Sequence, residues 1–78
     1  MGKRDTVRYT MRTGNRIEKF GITDDPDRRA AENADAGVPG EMRIEGPRVT
    51  RESAQDWETR KIQEYEQRNG EAPPYNKT

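Results

Sequence analysis

The sequence predicts an α+β domain: a three-stranded antiparallel sheet, made of an N-terminal hairpin plus one strand, packed with two main helices. Three observations carry that expectation. Residues 6–12 and 17–22 alternate around a Gly14-Asn15 turn signal. Asp25-Pro26 and Ser53 stand ahead of two stretches with helical character. A short apolar segment, residues 42–44, lies between those stretches, as an α+β order requires.

The first strand sets Val7, Tyr9 and Met11 against Arg8, Thr10 and Arg12, the period of a half-buried strand. In the second, Glu18, Phe20 and Ile22 alternate with Ile17, Lys19 and Gly21. Two registers are open. A two-residue loop at Gly14-Asn15 pairs Tyr9 with Phe20 and gathers the apolar residues on one face. A three-residue loop from Thr13 pairs Tyr9 with Lys19.

Asp25 suits a helix N-cap, Pro26 the first helical position and Asp27 the positive end of the helix dipole. The helix is expected over residues 26–36, with Ala30, Ala31 and Ala34 as a small-residue packing face and Gly37 as its stop. Residues 41–50 read as a short strand interrupted at Gly46-Pro47. Ser53 and Asp56 form a weak capping box. The helix that follows aligns Ala54, Trp57, Ile62 and Tyr65 on one stripe and ends at Gly70. The tail, with Pro73-Pro74, is expected to be extended. The expected domain spans residues 1–78, with residues 1–5 and 77–78 frayed.

Composition narrows the chemistry. Apolar residues make up 27% of 78 residues, there is no leucine, and 15 basic residues balance 15 acidic ones. The core must therefore be thin, drawn from Val7, Tyr9, Met11, Phe20, Ile22, Ile44, Trp57, Ile62 and Tyr65. The chain has no cysteine and no histidine. Disulfides, thiolate metal sites and Ser–His–Asp catalysis are excluded. An enzyme here must work with Tyr, Lys, Arg, Asp or Glu. No apolar run is long enough for a membrane span or a signal peptide, so the expectation is a cytoplasmic protein. Residues 1–20 carry a net charge of +4 and residues 21–36 a net −3, so the first hairpin is the part suited to a polyanion.

Six positions in order then resemble the GIY-YIG nuclease superfamily. Val7-Arg8-Tyr9 stands where the GIY tripeptide would, and Lys19-Phe20-Gly21 where YIG would, with Tyr9 ten residues before Lys19. Arg29 follows ten residues after Lys19, Asn33 one turn later, Glu58 on the second helix and Asn76 near the end. Three positions depart from the pattern: Val7 for the glycine, Lys19 for the second tyrosine and Asn33 for the His or Tyr of the first helix.

The resemblance implies a metal-dependent endonuclease acting on DNA or RNA. It implies Glu58 as the ligand of Mg2+ or Mn2+, Arg29 as a fork on the phosphate oxygens, and Tyr9 as a residue assisting the base. Lys19 would bind phosphate as a point charge or act as a base. Asn33, Asn76 and Arg28 would contact substrate. Two other readings follow from the same residues. A degenerate member would bind nucleic acid or a protein partner without cutting, with phosphate contacts from the basic hairpin. A small α+β interaction domain unrelated to nucleases would show no Tyr9, Arg29 and Glu58 cluster.

Overall fold

Two strands, β1 (Val7–Thr13) and β2 (Arg16–Thr23), meet at a two-residue turn in which Gly14 has φ +61° and Asn15 a negative φ. A glycine with positive φ at the first central position gives the twist that a tight hairpin needs. The structure is a computed structural model and describes residues 3–76; the fraying expected of residues 1–2 and 77–78 falls outside the described residues. Helix α1 (Pro26–Asp35), strand β3 (Glu41–Ile44) and helix α2 (Arg51–Asn69) complete an α+β fold. The sheet is antiparallel with order β2-β1-β3.

Neither expected register holds over the whole hairpin. Thr13 pairs with Arg16 and Arg12 with Ile17, as the two-residue loop requires. Between Arg12 and Met11 the ladder then shifts, Glu18 is the extra residue, and Met11 pairs with Lys19, Thr10 with Phe20 and Tyr9 with Gly21. This is a β-bulge, and it turns over every side chain beyond it. Lys19 comes onto the face of Tyr9 and Met11, while Phe20 and Ile22 go to the opposite face with Thr10 and Arg8. Apolar patterning suggested the reverse for Phe20. Burying β1 from both sides resolves the conflict: Val7, Tyr9 and Met11 are buried on one face and Thr6 and Thr10 on the other.

The bulge is held from outside the hairpin. Glu18 is buried and its carboxylate lies 2.9 Å from Arg16 Nε. Its carbonyl accepts the Tyr75 N–H at 3.0 Å. One step along, the Asn76 side chain completes the edge, with Oδ1 accepting the Phe20 N–H at 2.8 Å and Nδ2 donating to the Phe20 carbonyl at 2.9 Å. The tail, expected to be extended, instead turns, with the Asn76 N–H donating to the Pro73 carbonyl at 3.0 Å, and this turn covers the β2 edge, which would otherwise expose unpaired backbone groups. At the other margin, Thr6 and Val49 exchange two backbone hydrogen bonds of 2.9 Å.

Helix α1 begins as expected. Asp25 Oδ1 accepts the Arg28 N–H at 3.1 Å and Pro26 follows the cap. Its packing face differs from expectation: Ala31 and Ala34 are exposed and Ala30 half-buried, and the residue that α1 buries is Asn33, 3% exposed. A polar anchor satisfies the buried groups of the sheet that an alanine face would leave unpaired.

Helix α2 starts two residues before Ser53. Thr50 is the cap, its hydroxyl accepting the Ser53 N–H at 3.2 Å, which places Glu52 in the first turn. Gly70 ends the helix. Ala54 and Trp57 are buried, and Phe20 meets Trp57 and Tyr65 edge-on at centroid distances of 5.9 and 6.4 Å. The core is smaller than expected: Ile22 and Ile62 are half-buried, and Ile44, at the end of the four-residue strand β3, is 51% exposed. Among the described residues no helix is long and apolar enough to cross a membrane.

Candidate functional site

Tyr9 sits on the central strand and is 1% exposed. Its ring crosses Gly21 on the neighbouring strand, where a Cβ would overlap the ring and the hydroxyl. The hydroxyl oxygen accepts a hydrogen bond from Asn33 Nδ2 at 3.3 Å. On its other side Asn33 Oδ1 accepts from Lys19 Nζ at 3.4 Å. One buried amide therefore joins the tyrosine of β1 to the lysine of β2, and α1 supplies it. This contact requires Lys19 on the Tyr9 face, which is the consequence of the bulge at Glu18.

Arg29 lies one turn before Asn33 and so shares its side of α1. Its Nε is 3.3 Å from Glu32 Oε1, near enough to pair electrostatically but not aligned for a hydrogen bond. Glu58 reaches the same region from α2. Burial pushes its carboxyl above the usual carboxylate range, while the positive charges of Lys19, Arg29 and Arg51 pull it back. A half-buried carboxylate thus sits in the field of three cations drawn from β2, α1 and α2. Of the four residues assigned catalytic roles, Tyr9 is joined to Lys19 through Asn33, and Lys19 and Arg29 act on Glu58 by charge.

Two assigned substrate contacts are engaged elsewhere. Arg28 is exposed and its Nη2 donates to Asp24 Oδ1 at 3.1 Å. Both ends of the Asn76 amide are taken by the Phe20 backbone. Asn33 is a link within the group, its amide already spanning Lys19 and Tyr9. Arg51 was not singled out by sequence reasoning, and Gly21 was read only as the glycine of the YIG-like tripeptide. Arg51 precedes Glu58 by seven residues, two helical turns, and that spacing was a usable signal. Gly21 was visible as a residue, but its role depends on the bulged register.

No family model, curated protein or solved structure matches the chain.

The chemistry of the group therefore rests on its own side chains. Lys19 and Arg29 suit the oxygens of an anion, and Arg29 can offer a planar fork. Glu58 is the acid among them, and no three of His, Cys, Asp or Glu gather into a metal-sized cluster among the described residues. A divalent cation held here would take one protein carboxylate and fill its other positions with water and phosphate oxygens. Mg2+ accepts such an arrangement, because it keeps several waters and is often held by one or two carboxylates plus substrate phosphates.

Proposed function

We propose that this domain is a metal-dependent endonuclease of the GIY-YIG type, cleaving phosphodiester bonds in DNA or RNA. One observation carries the reading. Glu58 is half-buried in the field of Lys19 and Arg29, and Lys19 is tied through Asn33 to Tyr9, which supports one site drawn from four elements. An ordinary solvated glutamate on a surface helix has no reason to be half-buried against three cations.

In this proposal Lys19 and Arg29 hold the phosphate oxygens and offset the charge that grows on them during attack. Glu58 would hold Mg2+ or Mn2+, which would supply charge neutralisation at the phosphate and a nucleophilic water near neutral pH. Asn33 fixes the Tyr9 hydroxyl and the Lys19 ammonium in one arrangement and transfers no proton itself.

A specific observation favours a second reading, in which the domain binds nucleic acid without cutting it. Tyr9 is 1% exposed, so a substrate reaches its hydroxyl only if Asn33 moves. Cleavage assays separate the two. Supercoiled plasmid and single-stranded RNA are incubated with the full chain in Mg2+ or Mn2+, beside Glu58→Gln and Lys19→Met. Nicking that requires metal and disappears in Glu58→Gln supports the nuclease. Salt-sensitive binding without cleavage, weakened in Lys19→Met, moves the conclusion to the binding domain. Absence of both defeats either reading.

A further inference from the structure

On the face of the sheet opposite Tyr9 and Lys19, a groove of about 560 Å3 runs between the hairpin and the C-terminal half of α2. Phe20, Trp57 and Tyr65 line it, with Phe20 in edge-on contact with each of the other two. Tyr65 is half-buried, so part of its surface faces the groove, whereas Phe20 and Trp57 are each only 6% exposed. The walls carry Arg12, Arg16, Lys61 and Arg68 against Glu45 and Glu64.

The charges are unequally committed. Glu64 is within 3.8 Å of Lys61 and 3.9 Å of Arg60, and Arg16 is paired with Glu18. The Arg12 guanidinium makes no ion pair or hydrogen bond among the described residues, and its Nε is buried without a partner. An arginine held half-buried and unpaired is costly unless something else completes it. Arg12 projects from the strand and Arg68 from the helix, so unspent positive charge stands on both walls beside the aromatic side chains.

We propose that this groove binds a single-stranded nucleic acid segment, its phosphates on Arg12 and Arg68 and a base against Tyr65. Cations that follow a backbone, with an aromatic side chain on which a base stacks, are the two parts of sequence-tolerant single-strand binding. A duplex cannot offer an unstacked base to Tyr65. An acidic peptide would satisfy the arginines and leave the aromatic surface unused. The inference goes beyond the nuclease reading and does not depend on it, since the groove lies on the other face of the sheet from the Tyr9, Asn33 and Lys19 chain.

Fluorescence anisotropy with a labelled oligothymidylate, without divalent metal, tests it. The wild-type chain is compared with Arg12→Gln/Arg68→Gln, with Tyr65→Leu, and with Arg60→Gln as a charge control outside the groove. Thermal melts check that each is folded. The arginine pair variant should bind about tenfold more weakly, with a salt slope lower by about 0.7 per arginine removed. Tyr65→Leu, which keeps an apolar contact with Phe20, should also lose about tenfold, because stacking of a base contributes roughly 1–3 kcal/mol. Arg60→Gln, which removes an exposed α2 charge that does not line the groove, should bind as wild type.

Binding that is unchanged in the arginine pair variant overturns the proposal. So does binding that falls as far in Arg60→Gln as in the arginine pair variant, or that duplex DNA or polyglutamate competes away as well as the oligothymidylate. An absence of wild-type binding at low salt also overturns it.

Discussion

The ring of Tyr9 occupies the space that a side chain at Gly21 would need, across the central pair of strands. The two residues are partners in the ladder only because of the bulge at Glu18, so glycine at position 21, tyrosine at position 9 and the bulged register support one another. Gly21→Ala should force the ring out of its place over β2 and cost about 1–3 kcal/mol, the range for overpacking a filled site. Urea unfolding of the single variant and of Gly21→Ala in a Tyr9→Val background would check it. The smaller residue should remove most of the cost, and equal losses in both backgrounds would show that the ring is not the obstacle.

The Asn76 side chain imitates a strand residue toward Phe20. Asn76→Asp keeps the acceptor for the Phe20 N–H but sets an oxygen against the Phe20 carbonyl. The variant should lose about 1–3 kcal/mol at neutral pH, since one buried bond is replaced by an unpaired group. Amide hydrogen exchange at Phe20 should quicken more in Asn76→Ala, which loses both bonds, than in Asn76→Asp. Unchanged exchange at Phe20 in both variants would mean that the tail does not guard the β2 edge.

These two relationships explain which parts of the molecule were legible in the sequence. Alternation along residues 7–12, the Gly14-Asn15 turn and the Asp25-Pro26 cap each act within a few residues, and each formed the element it implied. The bulge could not be read, because what holds it includes Tyr75, far along the chain. Apolar patterning alone placed Phe20 beside Tyr9 and misassigned one face of the hairpin. The same limit shaped the site. Arg29, Asn33 and Glu58 lie on helices whose boundaries were nearly right, so their grouping was within reach. Asn76 was read as a substrate contact because a sequence shows that an amide is present and not what it bonds to. The alanines of α1 looked like a packing face, yet a helix resting on buried polar groups needs Asn33 more than it needs small residues.

Asn33 spans two partners whose needs differ. Asn33→Ala leaves the buried Tyr9 hydroxyl without its donor and should cost about 1–3 kcal/mol. Replacing both groups removes the orphan, so Tyr9→Phe introduced into Asn33→Ala should cost little further or restore some stability. A double-mutant cycle measured by denaturant unfolding would give that coupling, and additive losses would rule out a direct Tyr9–Asn33 hydrogen bond. Lys19→Met should couple with Asn33→Ala more weakly, because a half-buried ammonium regains water when its partner leaves.

Glu58 ties stability to pH in a direction opposite to that of most surface carboxylates. Burial raises its proton affinity in the folded chain, and the charges of Lys19, Arg29 and Arg51 only partly offset that. A carboxyl whose folded value lies above its unfolded value contributes stability that is complete below the unfolded value. That contribution is lost as pH rises through the folded one. Protonated glutamate and glutamine are nearly alike in shape and charge. Wild type and Glu58→Gln should therefore unfold at similar urea concentrations in acid, and the glutamine variant should become the more stable of the two as Glu58 ionises. Lys19→Met removes an attraction that favours the charged form, so in that background the gap should continue to open to higher pH. A difference between wild type and Glu58→Gln that stays constant from about pH 3 to pH 7 would contradict the burial of this carboxyl. Mg2+ adds a second reading of the same group. At neutral pH it should shift the wild-type midpoint upward by mass action and leave Glu58→Gln in place, because only the carboxylate offers the ion a charged ligand.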